Sequence, residues 1–176
     1  DEGIIDGVLD ISTQELVGLV AGGLFDAGPE RLSAAGRRGI PQVVAPGGTD
    51  YVVLGPVDRL TAGQRARPLI VHNPNITLVR TSRDEMAAVG RLMARRLNEA
   101  RGPAVVVVPC GGFSYSDRPG HAFYDPTGDE MLVHALEDTL HPRIEVIKVD
   151  AHVNDPAFAA VAVRTLRALM EGPGLD

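Results

Sequence analysis

The feature that most constrains the fold is a set of five short apolar runs, separated by helical patterns and turn-forming residues. In the clearest run, residues 105–108 are four consecutive valines. Uninterrupted β-branched residues are typical of a strand that is buried on both faces of a parallel sheet. Alternation with helices favours right-handed crossovers and helices on both faces. The sequence therefore predicts an α/β fold, a Rossmann-like three-layer domain with a mainly parallel sheet of about five strands. The predicted strands are Ile4–Asp10, Pro41–Ala45, Leu69–His72, Ala104–Val108 and Ile144–Val149.

Helix starts are marked between these runs by capping spacings and by prolines, which are tolerated at a first helical position. Residues 1–171 are predicted to form a single Rossmann-like domain, the C-terminal half of a longer two-domain protein, and 172–176 a frayed tail. The predicted helix starts are the capping pairs Ser12–Glu15 and Ser82–Glu85 and the dipeptides Gly28-Pro29, Asp125-Pro126 and Asp155-Pro156.

Composition excludes several classes of protein. The 17 Lys and Arg are outnumbered by 23 Asp and Glu and are scattered, whereas nucleic-acid binding needs a basic face. No run of about 18 apolar residues is present, so we expect no membrane-spanning helix. The single cysteine, Cys110, excludes an internal disulfide and a thiolate zinc cluster. A chain without disulfides suits a reducing compartment, and we expect a cytoplasmic protein.

Candidate site residues follow the predicted strands. In open α/β sheets, ligands bind beyond the carboxyl ends of the strands. Parallel strands would therefore bring Asp50, His72, Gly111 and His152 to one rim of the sheet.

The two diglycines of this rim have two interpretations. Gly47-Gly48 and Gly111-Gly112 either permit tight turns with positive φ or form a nest of backbone N–H groups for phosphate or carboxylate. Neither pair fits a known phosphate-binding glycine motif.

Two acids and two histidines are candidates for chemistry. Asp150 and His152 lie two residues apart on an extended segment, so their side chains should point to the same side. With His72 they are candidate acid–base residues, and with Asp50 candidate ligands of a divalent ion. The competing and favoured interpretation is a His–Asp hydrogen bond that fixes a loop.

Four other residues have a structural interpretation as well as a functional one. Cys110 is expected to be a small apolar filler rather than a nucleophile. Ser114 lacks the context of a hydrolase nucleophile. Arg80 and Arg83 either meet an anion at a helix N-terminus or are solvated surface charges.

The order of the polar clusters resembles that of an uncharacterised bacterial and plant family described as ATP-binding, which is typified by the N-terminal region of a plant tobamovirus-resistance protein. The matching segments run nearly end to end, and their order and spacing carry the resemblance. They are Pro41–Gly47 leading to Asp50, Val71–Pro74, Thr77–Thr81, Pro109–Ser114, Phe123–Pro126 and Asp150–Phe158.

This resemblance implies a longer protein with two Rossmann-like halves, a nucleotide site near their junction, and dimerisation. In some longer relatives it also implies a following TIM-barrel domain similar to phosphoenolpyruvate hydrolase-like proteins. The family's N-terminal strand and its Asp-Thr-Lys-Gly-type turn are absent from this sequence, so part of the ATP site is expected in the other half.

Three hypotheses follow. The first is a nucleotide-binding half-domain that takes ATP, with or without Mg²⁺, at the carboxyl edge of the sheet. The second is a small-molecule enzyme with the Asp and His chemistry described above, and the third is a non-catalytic scaffold that binds a partner. Under the first, the ligand-facing residues are Gly47, Gly48, Asp50, Asn73, Gly111, Gly112 and Ser114, with Asp150 orienting polar groups.

Overall fold

The computed structural model describes residues 4–172, so residues 1–3 of the predicted domain and 173–176 of the predicted tail lie outside the described part. Helices and strands alternate along the chain, with a 3-10 helix at Val57–Arg59. The strands are β1 Val8–Ser12, β2 Gln42–Gly47, β3 Tyr51–Leu54, β4 Leu69–Asn73, β5 Ile76–Arg80, β6 Ala104–Pro109 and β7 Glu145–Val149. The helices are α1 Glu15–Ala21, α2 Ala34–Arg38, α3 Ala62–Arg65, α4 Arg83–Asn98, α5 Pro126–Thr139 and α6 Pro156–Glu171.

A parallel sheet of four strands in the order β1-β2-β6-β7 forms the centre of the fold. The register pairs Val43 with Val105, and Val106 with Val146. Every residue of β2 and β6 is buried, as the uninterrupted apolar runs predict. The predicted α/β class and the mainly parallel sheet are therefore confirmed.

The alternation of side chains along β2 and β6 divides the core into two layers. Val44 and Val106 belong to the larger cluster, which includes apolar residues of α1, α4 and α5. Val43 and Val105 belong to the second cluster, with Phe158 of α6. Because strands added successively in one direction place right-handed crossovers on one face, α6 is the one helix of residues 4–172 that covers the other face. The result is a three-layer arrangement.

The predicted third strand, Leu69–His72, lies in a different sheet, which corrects the expected count of five parallel strands. It forms β4 of an antiparallel sheet with the order β3-β5-β4. A short apolar run shows that a segment is a strand but not which strand it pairs with, and the turn at 73–75 makes β4 and β5 a hairpin. The inserted sheet packs on the larger core through Val52 and Val79.

Two predictions for the N-terminal region are wrong. Strand β1 begins at Val8, and Ile4 and Ile5 are exposed rather than paired. Ser12 ends that strand, so it does not cap α1, which begins after Gln14 without a side-chain cap.

The proline of Gly28-Pro29 also fails to start a helix. Turns occupy 29–33, and α2 begins only at Ala34.

The other helix starts are confirmed. Ser82 Oγ accepts the Glu85 N–H at 3.3 Å, and the Glu85 carboxylate accepts the Ser82 N–H at 2.7 Å. This capping box satisfies two N–H groups at the start of α4. Prolines begin α5 and α6, directly after Asp125 and Asp155. No helix within residues 4–172 has both the length and the apolar character needed to cross a membrane.

Candidate functional site

A cleft of about 400 Å³ lies between the loop that follows β6 and the first half of α5. Its position at the carboxyl end of a buried parallel strand is where α/β proteins bind ligands. The loop contributes Cys110, Gly111 and Gly112, and the apolar wall includes Phe113 and Val133. Titratable residues at the cleft come from α5 and β7. They are Asp129, Glu130, His134 and Lys148.

Beside this cleft, Asp50 is completely buried in the turn between β2 and β3. Ser114 Oγ donates a hydrogen bond to Asp50 Oδ2 at 2.7 Å across 64 residues of sequence. The second oxygen, Oδ1, is buried and has no hydrogen-bond partner in the described part of the chain. The structure thus brings together Asp50 and Ser114, two of the residues assigned from the sequence to a nucleotide at the carboxyl edge of the sheet.

Two further acids and one arginine complete a buried polar cluster, defined as Asp50, Arg80, Asp117 and Asp129. Arg80 Nη2 donates to Asp129 Oδ1 at 2.8 Å, and Nη1 donates to the backbone oxygen of Asp50 at 2.7 Å. Asp117 Oδ2 accepts the backbone N–H of Phe113 at 2.8 Å. The guanidinium of Arg80 therefore pairs with one of the three carboxyl groups, that of Asp129, and holds the backbone of the Asp50 turn.

Burial dominates the electrostatics of this cluster because it disfavours the charged form of a carboxyl group. It raises the pKa of Asp50 to about 7; the nearby charge of Asp117 adds to the effect, while the Ser114 hydrogen bond and Arg80 oppose it. Burial also raises the pKa of Asp129, again with help from Asp117 and against the ion pair with Arg80. Both shifts favour the protonated carboxyl of Asp50 and of Asp129 near neutral pH.

The diglycines have steric reasons for being glycine. A Cβ on Gly111 would lie 2.7 Å from the backbone nitrogen of His152, and one on Gly112 would lie 1.8 Å from the backbone oxygen of Asp117. Gly47 would meet the backbone of β1 at 2.3 Å, and Gly48 has a φ of 75°. Positive φ, the turn interpretation, explains Gly48 and Gly112, and close approach of a neighbouring backbone explains Gly47 and Gly111.

Their backbone N–H groups are largely occupied. The N–H of Gly48 donates to Phe113 O, that of Gly111 to Ala151 O, and that of Gly112 to Pro109 O. In this conformation these three groups do not form a nest for an anion. Gly111 and Gly112 instead form part of the cleft wall, so their contribution to a ligand would be close backbone approach.

His152 joins the loop after β7 to the loop after β6. Its Nε2 lies 2.8 Å from the backbone oxygen of Ser114, and its Nδ1 accepts the N–H of Asn154 at 3.1 Å. This pattern places the ring proton on Nε2. His152 therefore fixes a loop, as the favoured interpretation held, but through backbone groups rather than through Asp150.

The remaining candidates lie away from this cluster. His72 and Asn73 are exposed at the far end of the antiparallel hairpin. The register places them at least four residues along the sheet from Asp50, roughly 14 Å at about 3.4 Å per residue. The common rim therefore does not include His72, because β4 belongs to the other sheet. Asn73 Oδ1 accepts the N–H of Asn75, which is a turn-forming contact.

The candidate metal ligands do not converge. Asp150 is exposed beyond β7, whereas Asp50 is buried and both ring nitrogens of His152 have hydrogen-bond partners. Within residues 4–172, no group of three or more His, Cys, Asp or Glu is arranged to hold a metal ion. These residues as placed do not fit a resident metal site.

Cys110 and Arg80 differ from their predicted roles. Cys110 is exposed at the cleft rather than a buried filler, and partial burial raises the pKa of its thiol. Arg80 is neither an anion ligand nor a surface charge but a buried ion-pair partner of Asp129. Arg83 is more exposed and pairs with Asp125, whose pKa it lowers through that hydrogen bond.

Sequence reasoning missed Asp117 and Asp129. Asp129 precedes the buried Leu132 by three residues and Leu136 by seven, so it lies on the buried face of α5. A carboxyl group among apolar residues of a helix face could have marked Asp129 as a candidate site residue. Asp117 carries no such signal because its loop has no periodic pattern.

The chain matches the Uncharacterised protein family (UPF0261) C-terminal domain over residues 1–170. It is 36% identical over 170 residues to a UPF0261 protein of Clostridium tetani, a match that covers 96% of this chain and 42% of the relative. It is 39% identical over 169 residues to a UPF0261 protein of Rhizobium meliloti, with 95% and 42% covered. It is also 34% identical over 163 residues to the ToMV resistance protein Tm-1(GCR237) of Solanum lycopersicum, with 92% of this chain and 22% of that protein covered. The chain thus spans about two fifths or less of these relatives.

Proposed function

The chain belongs to the UPF0261 family as its C-terminal domain, and we propose that this domain supplies one wall of a nucleotide-binding site, with ATP as the ligand. The observation that carries the proposal is the cleft beyond β6. Its volume of about 400 Å³ lies within the range of about 300–1,000 Å³ that is typical of small-molecule sites.

The lining of the cleft favours the base and sugar of a nucleotide rather than its phosphates. Tyr124 presents an exposed ring at the cleft for a planar base, and the buried Phe113 and Val133 form the apolar wall behind it. The Glu130 carboxylate at the cleft would repel a polyphosphate, and the N–H groups of the diglycine loop are occupied. The phosphates are therefore expected to contact the other half of the protein, as the resemblance to the ATP-binding family implies.

Mg²⁺ would enter this site with the nucleotide. Protein-bound Mg²⁺ commonly takes one or two carboxylates together with substrate phosphates and water. The described residues present no converging cluster of three ligands for it. The proposal consequently assigns no metal ligand to this chain.

The partners proposed for the domain follow from the same family membership. The matched relatives are longer than this chain, and its matched profile is that of a C-terminal domain. We propose the N-terminal half of the same protein as the main partner. A homodimer and a TIM-barrel domain remain proposals from the resemblance.

A variant with a blocked cleft tests whether ATP binds there. Cys110 is exposed, so Cys110→Trp should fill the cleft without disturbing the core, and Cys110→Ser is the matched control. Calorimetric titration of ATP with Mg²⁺ into a full-length UPF0261 protein that contains this domain should give saturable heat. We expect Cys110→Trp to weaken binding at least tenfold and Cys110→Ser to bind as the parent does. Equal binding by the tryptophan variant, or no heat from the parent, would refute the proposal.

A second candidate function, acid–base catalysis on a small molecule, is favoured by the buried polar cluster. The groups concerned are Asp129 and its neighbours rather than Asp150, His152 and His72. The third hypothesis, a partner-binding scaffold, stays a prediction, and the absence of any ligand effect in the titration would favour it.

A further inference from the structure

Asp129 is the point where the buried polar cluster reaches the cleft. Its side chain is 15% exposed and lines the cavity, while Arg80 holds one of its oxygens from the protein side at 2.8 Å. Asp117 is completely buried and stands within hydrogen-bonding reach of the Asp129 carboxyl. A ligand in the cleft could therefore touch Asp129 but not Asp117.

A proton between Asp117 and Asp129 would complete the hydrogen bonding of Asp117. Its Oδ2 accepts the Phe113 N–H, but its Oδ1 is buried without a hydrogen-bond partner in the described structure. Two ionised carboxylates cannot donate to each other, and a buried carboxylate oxygen without a partner is costly. A proton shared between Asp117 and Asp129 removes both problems. The raised pKa of Asp129, caused first by burial and then by Asp117, agrees with this arrangement.

We propose that Asp129 is a general acid that donates its proton to a carbonyl oxygen of a small molecule bound in the cleft, with Asp117 as its positioning residue. The inference rests on the cleft of the proposed function and adds proton transfer to it. In the step, the O–H bond of Asp129 breaks as the O–H bond of the ligand forms. The carboxylate that remains is stabilised by Arg80, and a proton from water restores it after the product leaves.

The titratable groups that line the cleft would orient a bound ligand. Glu130 and His134 line it from α5, and Lys148 lines it from β7, where it pairs with Glu137. The Asp50 carboxyl is on the protein side of the cluster and faces Ser114. Lys148 is thus the cation at the cleft for an electron-rich ligand oxygen, while Asp129 is the acid at its base.

Esterification by methyl diazoacetate tests the proton on Asp129 without a known ligand. A protonated carboxyl transfers its proton to the diazo carbon, and the carboxylate then displaces N₂ to form an ester. At pH 7 an ordinary ionised surface carboxylate reacts slowly, so exposed Asp150 is the internal comparison. Peptide mass spectrometry of the 176-residue chain should find the ester on Asp129 in at least tenfold excess over Asp150. No ester on Asp129, or equal labelling of the two, would overturn the proposal.

Two variants separate proton donation from structure. Asp129→Asn should abolish the ester at that position. Asp117→Asn keeps an oxygen for the Phe113 N–H and presents an N–H to Asp129, which should then ionise, so labelling at pH 7 should fall about tenfold. Unchanged labelling in this variant would overturn the positioning role. If the variant does not fold, the pH profile of the parent decides: the yield should persist through pH 7 and fall above it, and a fall between pH 4 and 5 would refute the proposal.

Addition of ATP distinguishes this inference from the proposed function. Protection of Asp129 by saturating ATP and Mg²⁺ in the full-length protein supports both. Labelling without protection supports the acid and counts against ATP as the ligand. Saturable ATP binding with an unlabelled Asp129 supports ATP and overturns the acid.

Discussion

The buried carboxyl of Asp50 should make the stability of this domain depend on pH in a direction opposite to that of most aspartates. Its pKa is raised from 3.8 to about 7, mainly by burial. The folded state therefore binds the proton more tightly than the unfolded state does. Stability from this group is fully present below about pH 4 and is lost as the pH rises to about 7. At about 1.4 kcal/mol per pH unit, the loss amounts to about 4 kcal/mol by pH 8.

Asp50→Asn removes this dependence because the amide is neutral at every pH. The amide oxygen can still accept the hydrogen bond from Ser114, and the NH₂ group replaces the oxygen that lacks a partner. We expect the variant to match the parent within about 1 kcal/mol at pH 4, with one buried amide donor unsatisfied. At pH 8 it should be more stable than the parent by about 2–4 kcal/mol.

The assay is urea unfolding of both proteins at half-unit intervals from pH 4 to pH 8, followed by circular dichroism. Asp138→Asn on the exposed side of α5 is the matched control, and its stability profile should run parallel to that of the parent. If the profiles of Asp50→Asn and the parent also run parallel, Asp50 is ionised in the folded state throughout this range. That result would refute the protonated cluster.

Three further substitutions test packing and pairing by urea unfolding. Gly90→Ala should lower the free energy of unfolding by about 2–3 kcal/mol, because its Cβ would lie 2.3 Å from the backbone oxygen of Leu132. In the control Gly63→Ala, the new Cβ meets open space and should cost nothing. Equal effects of the two substitutions would contradict this packing. Ser82→Ala should cost about 1 kcal/mol through loss of the α4 cap, and an unchanged midpoint would argue against it. Arg80→Met should cost about 3–5 kcal/mol at pH 8 and clearly less at pH 5, where the facing carboxyls are protonated; a loss independent of pH would show that they are not.

Much of the sheet could be predicted because its evidence is local. The valines of β6 and the apolar run of β2 are buried on both faces, and this is visible in their own residue types. The capping box of Ser82 needs only residues within one helical turn. The placement of Asp50 and Ser114 at the carboxyl edge of the sheet followed from the general rule on parallel strands, while their hydrogen bond was not predicted.

The errors arose where a long-range partner decides the outcome. Leu69–His72 has the composition of a strand, but its pairing with β5 moved His72 away from the parallel sheet. Ser12 has capping spacing to Glu15, but pairing with β2 extends β1 to Ser12. In both cases pairing with another strand decided the structure. A local residue pattern does not specify which strand a segment pairs with, so these outcomes could not be predicted from the pattern.

The amino-acid sequence by itself determined where buried strands and most helix starts lie, since these depend on neighbours within a few residues. Only the tertiary structure decided that Asp50, Arg80, Asp117 and Asp129 share one buried volume beside a cleft. The physical reason is that a carboxyl group's proton affinity depends on its burial and on charges a few ångströms away in space, and here those charges come from four separate segments of the chain.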